Sequence, residues 1–254
     1  MCVQSGRDSM DQVSVTAASG LQSRMEALDL VANNLANTTT GGFKLDREFY
    51  SLFTAADNEA DGASTRLPLI QKQWTDFSQG VLTPTGNALD LALSGKGFFA
   101  VNGPNGPLYT RNGSFQLSPS GQLTTSDGYA VLDDGGKPIQ TQSQDPITVG
   151  ADGSITQNDQ ALGKLQVVDF ADRSMLQKLG NSYFVPSDPK AETIPASEAT
   201  VQQGKTENSN VAPAESAVRL VGLMRQFEML QKAITITTDM NKQALSEVAR
   251  VPGA

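Results

Sequence analysis

The 254-residue chain contains no histidine. That removes the commonest general base near neutral pH and the commonest transition-metal ligand. Cys2 is the only cysteine, so an internal disulfide, a CxxC redox pair and a thiolate metal cluster are all excluded. It lies in a short polar leader with no apolar stretch behind it, which does not read as a lipid-anchor site. Basic residues are few and scattered: 19 Lys and Arg stand against 27 Asp and Glu, a net charge of −8. The electrostatic footprint of a protein that binds nucleic acid or an anionic membrane surface is therefore missing. No run approaches the ~20 apolar residues that cross a bilayer, so no membrane insertion is expected. No cleavable signal peptide precedes the first helical pattern either. Aromatic residues are scarce at 6 %, while 23 glycines and 12 prolines punctuate the chain. That balance suits a turn-rich β protein better than a compact α/β enzyme.

Candidate chemistry is equally thin. Asp152-Gly153-Ser154-Ile155-Thr156-Gln157-Asn158-Asp159 lacks the alternating acids and terminal Glu of a calcium loop. Gly95-Lys96-Gly97 has neither the spacing nor the hydroxyl of a phosphate loop. Asp90, Asp127, Asp133, Asp134 and Asp169 could supply carboxylates for glycoside hydrolysis, but nothing pairs them, and they read as turn and strand-end residues. Trp74 reads as a partly buried packing residue. No catalytic, cofactor-binding or metal residue is assigned, no cofactor is expected, and the chain does not read as an enzyme.

What is present is periodicity at both ends. Ala18, Leu21, Met25, Leu28, Ala32 and Leu35 recur at spacings of three and four. Leu220, Leu223, Phe227, Leu230, Ile234, Thr237, Asn241, Ala244 and Val248 do the same. Such seams are what helices lay against one another in a coiled coil or bundle. The first helix is expected from about Met10 to Asn37, ending in Asn- and Gly-rich sequence that tolerates the left-handed conformation. The second is expected from about Pro213 to Ala249; its 37 residues would span ~55 Å, more than a small β domain can cover. Its second flank, Met224, Met229, Ala233, Ile236 and Met240, is apolar too, and a helix apolar on two sides needs two coverings. Thr237 and Asn241, polar within the seam, are read as fixing register and partner choice. Packing between chains is favoured over a bundle closed within one chain.

From Leu67 onward short apolar runs alternate with Asn102-Gly103, Asn112-Gly113, Ser120-Gly121, Asp127-Gly128, Asp134-Gly135 and Asp152-Gly153. These pairs supply the positive φ of tight hairpins. The fold class is α+β: N- and C-terminal helices forming a coiled-coil-like inner domain, with an antiparallel, hairpin-rich β outer domain between them in the sequence. The expected divisions are a disordered leader at 1–9, the N-terminal helix at 10–40 and a connecting segment at 41–82 with a flexible loop at 54–66. A β domain at 83–185, a polar return arm at 186–209 and the C-terminal helix at 210–250 complete the chain.

Several segments then resemble the axial proteins of the bacterial flagellum, the basal-body rod proteins. They are Ala17-Ala18-Ser19-Gly20-Leu21, Val31-Ala32-Asn33-Asn34-Leu35-Ala36-Asn37 and Thr40-Gly41-Gly42-Phe43-Lys44 at the front. Phe77-Ser78-Gln79-Gly80, the run Thr85–Leu93, the run Gly95–Val101 and the run Tyr109–Phe115 continue the likeness. Asn208-Ser209-Asn210-Val211 and the run Arg225–Ile234 complete it at the back. Within the family, Arg225-Gln226-Phe227-Glu228-Met229 looks more like the FlgF type than the FlgG type. Family starts lie just before the first helix, which makes Met10 a candidate initiator.

The resemblance implies a structural subunit that polymerises into the drive shaft carrying torque from motor to hook and filament. Its partners would be copies of itself, other rod and hook axial subunits, and the flagellar type III export apparatus. Its location would be the periplasm-spanning rod of the basal body, reached without a cleaved signal peptide. Asn33, Asn34, Leu35, Asn37, Gly42 and Phe43 carry the family motif. Leu21, Met25, Leu28, Leu35, Leu220, Leu223, Phe227, Leu230 and Ile234 would form the subunit-packing seams, and Phe49 and Phe53 resemble an element read by the export gate. The runner-up is a secreted carbohydrate-binding or adhesive β protein whose terminal helices merely bundle.

Overall fold

A long helix opens and closes the chain in the computed structural model, which describes residues 4–54, 66–143, 145–180, 182–188 and 191–250. Helix α1 is Gln4–Ala36 and helix α2 is Pro213–Arg250. Residues 4–9, expected within a disordered leader, form the first turns of α1. Gly6 alone is not enough of a helix breaker to hold the start at Met10. The loop expected at 54–66 falls largely outside the described residues, as do residues 1–3.

Between the helices come β1 (Leu45–Thr54) and β2 (Arg66–Asp76), which pair as a two-stranded ribbon. The expected connecting segment is thus mostly strand. Further on are β3 (Leu82–Pro84), β4 (Leu91–Ser94), β5 (Phe98–Gly103), β6 (Gly106–Thr110), β7 (Phe115–Leu117), β8 (Leu123–Thr125) and β9 (Ala130–Val131). Then follow β10 (Thr148–Val149), β11 (Ser154–Gln157), β12 (Gln160–Lys164), β13 (Val167–Phe170), β14 (Leu176–Leu179) and β15 (Tyr183–Pro186). The last are β16 (Thr193–Pro195), β17 (Thr200–Gln203) and β18 (Lys205–Glu207). Two compact units result. One gathers the helices and most of the β1–β2 ribbon; the other holds Ala36–Leu45 with Thr75–Ala212.

The β unit is built on a nine-stranded sheet with the path β14-β15-β6-β5-β9-β8-β7, joined by β13 and β16. Strand β5 lies inside it, between β6 and β9, and also pairs with β13. Its Phe98-Phe99-Ala100-Val101 is buried throughout, the continuous apolar pattern of a strand covered on both faces. Successive side chains of a strand point to opposite faces. Phe98 accordingly joins Phe184, Phe170 and half-buried Phe77 on one side, while Phe99 joins Phe115, Leu91 and Leu93 on the other.

Turn chemistry explains most reversals. Gly121, Gly128 and Gly153 take positive φ at three of the expected turns. At Asn102-Gly103 the reversal is displaced: Gly103 pairs with Gly106, leaving Pro104-Asn105 at the tip. Asn112-Gly113 makes a corner between β6 and β7 instead of a hairpin. The turn between β11 and β12 uses Asn158 and Asp159 at φ 50° and 63°; these residue types tolerate that region without glycine.

The polar return arm also contributes three short strands. β16 pairs with β13, β17 with β4, and β18 with β3. Its polar residues bond inward, which hydropathy does not reveal. Gln203 accepts from the Val149 amide at 3.1 Å and donates to the carbonyls of Ala88 and Ile147, each at 2.8 Å.

Candidate functional site

Two places concentrate the residues singled out in the sequence. The first is the helix pair. Among the described residues of α1, Ser23, Ala27, Leu30, Val31 and Asn34 are buried. Ala27 and Val31 meet Leu223, with Leu28 and Leu220 half-buried alongside. Nearer the start of α1, a Cβ on Gly20 would lie 3.9 Å from Leu230. Residue numbers that fall on one helix as they rise on the other mean the two run antiparallel.

The α2 stripe lies on this side: Leu223 is buried, and Leu220, Phe227, Leu230, Ile234 and Thr237 are half-buried. On α1 the buried line is rotated from the stripe read in the sequence. Leu21, Leu28 and Leu35 are half-buried, Met25 is 54 % exposed, and small Ala27 is fully buried. Thr237 donates its hydroxyl to the Ala233 carbonyl of its own helix at 2.9 Å, so within the chain it satisfies itself. The opposite side of α2 carries Val218, Met229, Ile236 and Met240, each at least half exposed (75 %, 63 %, 51 % and 61 %). At 100° per residue these four fall close together and roughly opposite Leu223 and Phe227.

The second place lies in the β unit and is built from segments far apart in sequence. Asn34, near the end of α1 in the helical unit, and Asn37, just past that end, each make side-chain hydrogen bonds at the helix exit. Asn34 exchanges two hydrogen bonds with the Asp46 backbone, donating at 2.8 Å and accepting at 3.0 Å. Asn37 accepts from the Thr40 hydroxyl at 3.0 Å. Asn33 stays exposed on the helix.

Gly42 then turns the chain at φ +69°; a Cβ there would lie 2.3 Å from the Asn112 amide nitrogen. Its own amide donates to the Glu207 carbonyl at 2.7 Å. Phe43 is buried, with the Lys178 ammonium 3.9 Å above its ring. Asn210 fastens the same region, accepting from the Leu45 amide at 2.7 Å and donating to the Asp76 carbonyl at 2.8 Å.

At the centre stands the Glu207 carboxylate, fully buried. Oε1 accepts from Lys44 Nζ at 2.5 Å and from the Gly80 amide at 3.0 Å, and Oε2 accepts from Arg111 Nη1 at 3.2 Å. Lys44 also donates to the Ser78 carbonyl, and Arg111 to the Gly95 carbonyl, each at 2.7 Å. The Arg111 guanidinium lies 5.5 Å from the centre of the Phe98 ring. Burial pulls down the pKa of Lys44 and of Arg111, and Glu207 offsets part of each shift. Asp169 nearby is held below the usual carboxylate range: burial pushes it up, but hydrogen bonds from Arg173 and from the Phe170 amide outweigh that. Two buried cations share one buried anion, each also donates to one backbone carbonyl, and the Arg111 Nε is buried without a hydrogen-bond partner. Such an arrangement fixes segments in place and offers no reacting atom to a substrate.

Lys44, Arg111 and Gly80 lie in the segments that carry the family resemblance, where nothing in the sequence pairs them, and Glu207 lies in the segment expected to be a polar return arm. The available signal was a cation inside otherwise apolar or glycine-rich motifs, Gly42-Phe43-Lys44 and Tyr109-Thr110-Arg111. Phe49 and Phe53 lie on β1, where their side chains fall outside the described residues. Trp74 is 45 % exposed with Arg47 5.8 Å from its ring centre, wetter than expected. A cleft of about 630 Å³ is lined by Ser118, Ser120, Gly121, Thr141 and Ser143 among others. Its hydroxyls are engaged in local turns, Thr141 with the Gly121 carbonyl and Ser143 with Asp145. Among the described residues no helix is long and apolar enough to cross a membrane, and no three His, Cys, Asp or Glu side chains gather as a metal site.

Comparison with known proteins places these features in a family. Residues 15–44 match the flagella basal body rod protein model. Residues 92–157 match the D1 domain of the flagellar hook protein FlgE/F/G, and residues 202–247 the C-terminal region of flagellar basal body rod FlgEFG proteins. Each matched segment contributes one member of the buried trio: Lys44, Arg111 and Glu207. The chain is 32 % identical over 245 residues to the flagellar basal-body rod protein FlgF of Caulobacter vibrioides, covering 95 % of this chain and 100 % of that one. The FlgF of Mesorhizobium japonicum is 32 % identical over 92 % of this chain and 95 % of its own length. A FlgG from Buchnera aphidicola is 33 % identical over 90 % of this chain and 96 % of its own. With this extent of likeness and a site that locks segments instead of performing chemistry, the chain belongs to the flagellar basal-body rod proteins of the FlgF/FlgG type, structural subunits and not enzymes.

Proposed function

We propose that this subunit, of the FlgF type, builds the rod through its terminal helices, which form a coiled-coil-like inner domain, with the β unit as the outer domain. The supporting observation is the apolar side of α2 that the partner helix does not cover: Val218, Met229, Ile236 and Met240. Exposed apolar residues in such a row bury surface only against another molecule. Neighbouring copies and other rod and hook subunits are the partners that fit. Contacts that do not close into a ring propagate as a helix, and a helical tube of locked subunits carries torque.

The seam residues Leu21, Met25, Leu28 and Leu35 with Leu220, Leu223, Phe227, Leu230 and Ile234 divide this work. Buried Leu223 holds the pair together, and exposed Met25 serves neighbours. Asn33, Asn34, Leu35, Asn37, Gly42 and Phe43 set the exit from the inner helix. The chain travels unfolded through the flagellar type III apparatus, with Phe49 and Phe53 read at its gate, to the periplasm-spanning rod. Electron microscopy of basal bodies from a deletion strain tests the reading. Bodies stalled at the rod stage are expected; complete rods and hooks would contradict it.

A further inference from the structure

The buried trio has a directional property. Its two cations come from residues 44 and 111, but their shared counter-ion comes from residue 207, which is 163 and 96 residues further along. Side-chain exposure is 0 % for Lys44, 3 % for Arg111 and 0 % for Glu207. Apart from this carboxylate, the acceptors in hydrogen-bond contact with the two cations are the neutral carbonyls of Ser78 and Gly95. Asp76 and Asp169 add favourable charge at longer range, and Arg173 opposes it. The backbones interleave just as closely. Gly42 donates to the carbonyl of Glu207 at 2.7 Å, and a Cβ on Gly80 would lie 2.0 Å from the Asn208 carbonyl oxygen.

We propose that the 205–211 segment, through Glu207, is the closing latch of the β unit, which stays open until that segment docks. Closing without it would entomb two cations lacking a counter-ion, far costlier than leaving them in water. A chain delivered from its N-terminus holds Lys44, Gly80 and Arg111 long before Glu207, so partial chains are kept from folding early. The role of this delay during export rests on the reading above; closure itself does not, and refolding in solution tests it separately.

Refolding of the full chain, followed by stopped-flow circular dichroism, measures the latch. Glu207→Gln keeps the shape and removes the charge, and is expected to refold about tenfold more slowly or to remain open. The triple variant Lys44→Met, Arg111→Met, Glu207→Leu removes the charge problem altogether and is expected to refold at least as fast as the parent. Wild-type refolding with only faster unfolding in Glu207→Gln would overturn the latch. So would a triple variant that refolds as slowly as Glu207→Gln or fails to fold, since either would show that charge is not what holds the unit open.

Discussion

Glu207 connects more of the chain than any other side chain described above. It gathers Lys44, Gly80 and Arg111, and its carbonyl takes the Gly42 amide. Breaking a buried pair by removing one partner costs about 3–5 kcal/mol, so Glu207→Gln should lower stability in urea unfolding by that order. A midpoint within error of wild type would contradict the arrangement. Gly80 is constrained differently, by the nearness of the Asn208 carbonyl. Gly80→Ala should cost about 1–3 kcal/mol through overpacking, with the β signal of circular dichroism retained.

Acid offers a further check at this scale, because the folded pKa of Asp169 lies below its ordinary value. A depressed carboxyl contributes stability above its unfolded pKa and loses it as pH falls through the folded one. The advantage of wild type over Asp169→Asn should therefore be full at pH 7 and shrink below about pH 4. An advantage unchanged at pH 2.5 would dismiss the Arg173 pairing as its source. None of these charges could be paired by eye in the sequence. Local pattern says that Lys44 and Arg111 sit among apolar and glycine residues, but the partner is fixed only by the fold.

At the scale of elements, the helices were legible because a period near 3.6 repeats for many turns. On α2, Leu223 is buried and Leu220, Phe227, Leu230, Ile234 and Thr237 are half-buried. The α1 line is rotated, since polar Ser23 and Asn34 share the buried side with Ala27, Leu30 and Val31 while apolar Met25 is exposed, a division hydropathy does not rank. Strand β5 could be read from Phe98-Phe99-Ala100-Val101, whereas β17 and β18 could not, since Gln203 and Glu207 are polar side chains satisfied inside. The β11–β12 turn escaped for lack of a glycine. Leu223→Ala should cost about 2 kcal/mol, at the low end for a buried leucine because its cluster is small. Hydrogen exchange should report that cost as faster exchange in both helices with the β unit unchanged; slowed exchange or a collapse of both units together would refute separate packing.

For the whole molecule, the two units divide the labour. The β unit carries the cores around Phe98 and Phe99 and the buried trio, and has the means to be a rigid body. Among the described residues the helical unit has a cluster around Ala27, Val31 and Leu223, while Val218, Met229, Ile236 and Met240 stay exposed. On the function proposed above, the helices reach full burial only among neighbours. Substituting both Met229 and Ile236 with Glu tests it most directly, because both side chains are exposed in the single chain. Electron microscopy of basal bodies from a strain carrying only this variant should show rods that stop short, while the purified subunit unfolds at the wild-type urea midpoint. Full-length rods bearing hooks, from that same strain, would contradict the account.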